Sequence, residues 1–383
     1  MSEKKFADIR DASLDVCTGM LPDYPNGGAA AITAENWAET RKQILDTIIP
    51  LCYGGMPPKP EYFQVHRMYS QDYRIIAGTA EKQLAFEMSV QKPAGDGPFP
   101  VILTGDAFTH YLNDNLGKMF LDAGYAIARF NRTVLAEDTF TSDRSFGLYP
   151  VYPELKFSML SAWAWGYHRC VDALLTLDYV DPNAICVTGH SRGGKAALLA
   201  GATDERIAFT APSGSGLFGG GCFRYTQYVP EDCDWCGSHT NHSETLLNMM
   251  GCGVPWPAIQ FWFGKDMAAY MGDEDKLPFD LHFLKAAVAP RYLLQTDSVE
   301  DIWANPRGSY LTHCAAREVF KALGAEDRIA YTFRYGPHGH KPEDFHALFC
   351  FINAAMEGRP YLKDNGDNIY GHLKKIHDWS AEK

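Results

Sequence analysis

Gly189-His190-Ser191-Arg192-Gly193 sets a hydroxyl between two glycines. An apolar run, Ala184-Ile-Cys-Val187, leads into it, and a small-residue run, Lys195-Ala-Ala-Leu-Leu-Ala-Gly201, leads away. That spacing is what a nucleophile elbow requires. A serine held on a tight strand-to-helix turn leaves no room for side chains two residues to either side, so both positions must be small. The hydroxyl then stands clear of the sheet. The N–H of Arg192, at the helix N-terminus, points to where an oxyanion would form. A serine hydroxyl is a poor nucleophile without a base. Tyr335-Gly-Pro-His-Gly-His340 lies near the C-terminus, where an elbow's histidine belongs, and offers His338 and His340. The acid that orients the imidazole should follow the preceding strand. There Asp297-Ser-Val-Glu-Asp301 offers Asp297, Glu300 and Asp301, and spacing alone does not choose among them. A second oxyanion donor is expected, by position only, from the loop Gly105-Asp-Ala107. Together such groups would perform acyl transfer to water.

Those residues need a scaffold that brings them together, and the chain's rhythm supplies one. Residues 98–104, 125–130, 184–188, 291–296 and 328–335 read as strands. Residues 114–123, 159–178, 192–201, 308–323 and 343–357 read as the helices between and after them. Strands alternating with helices predict a mostly parallel sheet with helices on both faces, the three-layer α/β-hydrolase fold, formed as a single domain over residues 1–383. Upstream, residues 33–49 carry Trp37, Ile44 and Ile48 on one helical face, with Pro50 as the expected stop. Leu84, Phe86, Met88 and Val90 alternate with polar or small residues, the period of a half-buried strand. Residues 1–60 read as an N-terminal extension. Segment 212–280, rich in Gly, Trp, Tyr and Cys, breaks the rhythm and reads as a lid-like insertion over the site.

Composition narrows the partners. The 383 residues are 46% hydrophobic and 21% charged, ordinary values for a globular chain. A net charge of -12 with no long basic run argues against nucleic acid, and no apolar run is long enough to cross a bilayer. MSEKKFADIR has no apolar core of a secretory signal, so a cytoplasmic location is expected, with secretion the alternative if a leader has been removed. Of the ten cysteines, Cys186 and Cys350 sit in apolar runs and read as buried thiols. Cys233-Asp-Trp-Cys236, with Cys222, His239 and His242 nearby, has residue types that suit zinc. No second close cysteine pair completes the set, so plain thiols, no metal and no cofactor are expected. The expected partner is a small-molecule or oligosaccharide ester. The oligomeric state is not legible.

With these residues in view, the chain resembles the glucuronoyl esterases, carbohydrate esterase family 15, and their acetyl-xylan-esterase-like bacterial relatives. That family carries Gly-Cys-Ser-Arg-Asn-Gly-Lys at its elbow. This chain keeps Gly189, Ser191, Arg192, Gly194 and Lys195 at the same spacing. Trp163-Ala-Trp-Gly166, Leu277-Pro-Phe-Asp-Leu-His-Phe-Leu284, Ala289-Pro-Arg291, Asp301-Ile-Trp303 and Tyr53-Gly-Gly-Met-Pro57 also resemble family stretches. The resemblance implies Ser191 as nucleophile, His338 as base and the Arg192 side chain as a further oxyanion donor. It implies Lys195 on sugar hydroxyls, Trp303 lining the sugar pocket and Glu244 as a pocket carboxylate. Many members place the catalytic acid in a Glu-Ser-Gly segment after the elbow helix. Here that segment is Gly214-Ser215-Gly216, which moves the expectation to Asp301. The family's cysteine before the serine is His190, so a disulfide built from it cannot form. The implied activity is a serine carbohydrate esterase acting on uronoyl esters. The alternatives are an acetyl xylan esterase and a catalytically silent sugar-binding protein on the same scaffold.

Overall fold

The computed structural model describes residues 8–109, 111–139, 143–230, 241–250 and 260–381. Among them, nine strands form one sheet. In chain order they are β1 (Tyr62–Arg67), β2 (Asp72–Gly78), β3 (Gln83–Gln91), β4 (Phe99–Thr104), β5 (Ala126–Phe130), β6 (Val180–His190), β7 (Phe209–Ser213), β8 (Tyr292–Ser298) and β9 (Ile329–Arg334). Across the sheet the order is β9-β8-β7-β6-β4-β5-β3-β2-β1. The strands from β9 to β5 pair in parallel, and β3, β2 and β1 add an antiparallel edge. The α/β-hydrolase architecture predicted from the strand-helix rhythm is therefore present. The rhythm missed β1, β2 and β7. β1 is the exposed outer strand, so its apolar pattern is weak; β2 buries Tyr73, Ile75 and Ala77 in alternation, a period the rhythm passed over; and β7 is only five residues long and contains Pro212.

The parallel strands are flanked by α1 (Trp37–Tyr53), α2 (Asp114–Asp122), α3 (Met159–Leu174), α4 (Arg192–Thr203), α5 (Pro306–Ala322) and α6 (Pro342–Met356). Alternation along each strand divides the core in two. Val101 and Leu103 of β4 join the cluster containing α3 and α4, while Ile102 joins Phe120 of α2 and Phe345 and Phe351 of α6. Fully burying a side chain of this size stabilises by about 1.5–3 kcal/mol, so both faces hold the sheet. Pro50 does not stop α1. It falls in the last turn, and the helix runs on to Tyr53, ending at Gly54 (φ 68°), whose N–H reaches the Ile49 carbonyl. Helix α3 stops at Leu174, four residues short of the expected end.

Register is what matters for function. His190 lies opposite Ser213, Thr296 also lies opposite Ser213, and Ser298 lies opposite Arg334. The ends of β6, β7, β8 and β9 are therefore aligned, and the loops beginning at Ser191, Gly214, Val299 and Tyr335 emerge side by side. In a parallel sheet this carboxyl edge is where sites are built.

Cys233, Cys236 and His239 of the possible zinc set lie outside the described residues. The described cysteines are free thiols, and Cys222 is buried with its thiol directed at Asp280. Among the described residues no group of His, Cys, Asp and Glu is arranged to hold a metal, and no helix is long and apolar enough to cross a membrane.

Candidate active site

Ser191 sits between β6 and α4 at φ 55°, ψ -122°, a conformation that L-residues avoid and that an elbow imposes. Its N–H donates to the Ser213 carbonyl at 2.8 Å, tying the turn to the end of β7. Both glycines of the motif are needed, for different reasons. A Cβ at Gly189 would stand 2.4 Å from the Gly193 carbonyl oxygen, the close backbone approach expected of the turn. A Cβ at Gly193 would stand 2.3 and 2.5 Å from the carboxylate oxygens of Asp106, a partner the motif does not reveal.

The choice left open among the acids resolves by contact. Asp301 Oδ2 lies 2.5 Å from His338 Nδ1. With Nδ1–H donating to the carboxylate, Nε2 is left to accept a proton. The His338 ring lies 4.5 Å, centroid to centroid, from that of His190, the residue immediately before the serine. Burial alone would lower the His338 pKa. The Asp301 charge and its hydrogen bond, with Glu244 further off, outweigh that and hold it above the ordinary histidine value. Glu300 instead accepts the Gly336 N–H at 2.5 Å and so steadies the loop that carries His338. Asp297 is buried in the core, accepting from Tyr331 Oη and from Gln295 Nε2. His340 is buried, stacks on Phe345 at 4.0 Å, and is pushed down to about 3 by that burial, which does not suit a base. A Cβ built on Gly214 (φ 51°) would lie 3.6 Å from Asp301 Oδ2. The loop after β7 therefore passes beside Asp301, although that Cβ would also meet His190 Cε1 at 2.6 Å.

The expectation for Gly105–Ala107 is overturned. The Gly105 N–H donates to Tyr167 Oη at 2.8 Å, Asp106 N–H to Thr104 Oγ1 at 3.2 Å, and Ala107 N–H to the Phe130 carbonyl at 3.3 Å. These donors are committed, because the loop is pinned against α3 and β5. Of the oxyanion donors expected from the sequence, the backbone N–H of Arg192, in the first turn of α4, and its guanidinium remain. That guanidinium lies over the Trp262 ring at 4.9 Å and donates from Nη1 to both oxygens of Asp138, at 3.0 and 3.1 Å.

One helical turn beyond Ser191, Lys195 faces the same way. It is buried, and its Nζ donates to the Leu217 carbonyl at 2.5 Å and to Glu244 Oε2 at 2.9 Å. Glu244, from the 212–280 segment, is equally buried and also accepts the Leu217 N–H. Burial lowers the Lys195 pKa and raises that of Glu244, and their mutual attraction only partly offsets it. Trp303 is half-buried, and its carbonyl accepts the Glu244 N–H at 2.9 Å. The structure thus places a hydroxyl on a strained elbow, a histidine paired with a carboxylate, a guanidinium and a buried ammonium–carboxylate pair at one edge of the sheet.

The sequence reading missed Asp106, Arg132 and Asp138. Asp106 and Arg132 follow the carboxyl ends of β4 and β5 within two residues, and that position was the available signal.

A family model described as "Glucuronyl esterase, fungi" matches residues 75–324. A 4-O-methyl-glucuronoyl methylesterase of Schizophyllum commune is 30% identical over 349 residues, covering 88% of this chain and 82% of that one. Another from Podospora anserina is 31% identical over 352 residues, covering 90% and 68%. A solved carbohydrate esterase family 15 glucuronoyl esterase from Caldicellulosiruptor kristjansonii superposes with a TM-score of 0.82 at 27% identity, covering 97% of this chain and 100% of that one.

Proposed function

The chain belongs to the glucuronoyl esterase family, and from that premise we propose that it hydrolyses esters of the glucuronic acid carboxyl group through an acyl-enzyme on Ser191. It is a carboxylic ester hydrolase of the serine type. His338, fixed by Asp301, takes the hydroxyl proton on Nε2 as the oxygen attacks the ester carbon. Collapse of the tetrahedral intermediate returns that proton to the leaving alcohol. Water then repeats the sequence on the acyl-enzyme and releases the uronate. The Arg192 N–H and guanidinium receive the oxyanion. Lys195 and Glu244 hold ring hydroxyls, and Trp303 lines the sugar.

The observation that carries this reading is the Asp301–His338 contact beside the elbow, with the Lys195–Glu244 pair one helical turn further on. A buried ion pair costs desolvation that an acetyl methyl group would do nothing to offset. Sugar hydroxyls satisfy both charges. The test compares methyl 4-O-methyl-glucuronate with an acetylated xyloside. The wild type should prefer the uronate ester roughly 100-fold or more, as sites built for hydroxyls do. Ser191→Ala should lower kcat on the order of 10⁶-fold. A uronate ester left intact by the wild type, or hydrolysed equally by Ser191→Ala, would contradict the proposal.

A further inference from the structure

Residues 190 and 192 flank the nucleophile, and one row of alternating charges joins them. The His190 N–H donates to Asp106 Oδ2 at 2.9 Å. Asp106 Oδ1 accepts from Arg132 Nη1. Arg132 Nη2 lies 3.7 Å from Asp138 Oδ2, and Asp138 receives Arg192 Nη1 on both oxygens. The row starts on the backbone just before Ser191 and ends on the side chain just after it. Its inner half is dry and clamped. Asp106 and Arg132 are buried, and the Arg132 guanidinium is gripped between Phe108 and Trp163 at 4.9 and 4.8 Å. Its outer end is open: the Arg192 side chain is 39% exposed and Asp138 15%.

Two features tie this row to the reaction. The N–H groups of residues 105–107 are committed elsewhere, so the oxyanion depends on the Arg192 side chain beyond its own backbone N–H. A half-exposed guanidinium on a flexible stem stabilises a transition state only when it is held in place beforehand. The two Asp138 contacts also fall on one nitrogen, Nη1, so the anchor does not engage Nη2 or Nε. A buried charge row is a weak stabiliser by itself, because desolvation cancels much of its attraction.

We propose that Asp138 is a positioning residue for the oxyanion: it aims Arg192, and Arg132 and Asp106 fix Asp138 to the backbone of the elbow. This rests on the reading of Arg192 as an oxyanion donor under Proposed function. The row sets the distance between nucleophile and guanidinium, and the effect of Asp138 passes through Arg192.

The experiment is a double-mutant cycle on methyl 4-O-methyl-glucuronate, with kcat and KM measured for wild type, D138N, R192A and D138N/R192A, and unfolding midpoints alongside. R192A should lower kcat roughly 100- to 1000-fold. D138N should lower kcat roughly 10- to 100-fold, the scale of a misplacement of about 1 Å, with KM nearly unchanged. The double variant should be no slower than R192A, within about two-fold. A D138N enzyme with wild-type kcat overturns the proposal. So does a D138N penalty that is the same with and without Arg192, which would mark a purely structural role. An R192A enzyme at wild-type rate instead overturns the oxyanion reading beneath it, so the two failures are distinguishable. If D138N does not fold, Asp138→Glu keeps the charge, shifts it by one methylene and completes the same cycle.

Discussion

The site has two sides, and they are built in opposite ways. On the proton-moving side, Asp301 is buried, but the His338 side chain stays 35% exposed, on a loop that hangs from β9. On the sugar side, Lys195 and Glu244 are 2% and 6% exposed and grip each other within the protein. The difference follows from what each must do. A base changes charge in every turnover, and burial penalises the charged form of His338 as it does those of His340 and His190; only at His338 does a carboxylate, Asp301, outweigh that penalty. A pair that only accepts and donates hydrogen bonds does not change charge during turnover, and burial sharpens its preference for a ligand that satisfies both partners. Removing a residue from the first side should therefore show in kcat and its pH dependence. Removal from the second should show in KM and stability.

The strongest way to break that contrast is Asp301→Asn. It should lower kcat roughly 10⁴-fold, as loss of the orienting acid does in a serine triad. It should also move the acid limb of the pH profile. The base acts neutral, and Asp301 holds the His338 pKa above the ordinary histidine value. Wild-type kcat/KM therefore falls as pH drops through a value above about 6.5, and removing Asp301 shifts that fall to lower pH. A limb that stays in place would contradict the assignment of His338.

A smaller effect sharpens the contrast from the other side. Glu244→Gln leaves the Lys195 ammonium buried without its counter-charge. It should destabilise the fold by about 3–5 kcal/mol in urea unfolding. KM should rise roughly 10-fold, the scale of one charge-assisted hydrogen bond, and the acid limb should move to lower pH by less than in Asp301→Asn, because Glu244 contributes less than Asp301 to holding the His338 pKa up. The double change Lys195→Met with Glu244→Leu should restore most of the stability but not the KM. Recovery of both would mean that the pair serves the fold alone.

Much of the proton-moving side was legible in the sequence, because backbone geometry writes itself into residue types. Gly189 and Gly193 mark the turn around Ser191, and His338 follows a readable strand. The acid was narrowed to three residues by position, and the family resemblance then pointed to Asp301. What stayed hidden is what depends on contacts between distant loops. Lys195 and Glu244 were each named through the family resemblance, but they are 49 residues apart, and no local pattern pairs them. Asp106, Arg132 and Asp138 are charged loop residues that composition cannot tell from surface ones. The expected donors of residues 105–107 failed because Tyr167, Thr104 and Phe130 take up their N–H groups, which no local pattern announces.

The central claim is that Ser191 is made nucleophilic by His338. Incubation with a fluorophosphonate, followed by peptide mass mapping, tests it most directly. The account predicts a single adduct on Ser191, formed faster as pH rises through the His338 pKa and slowed at least about 100-fold in His338→Ala. An unlabelled Ser191, or labelling that proceeds equally well without His338, would contradict it.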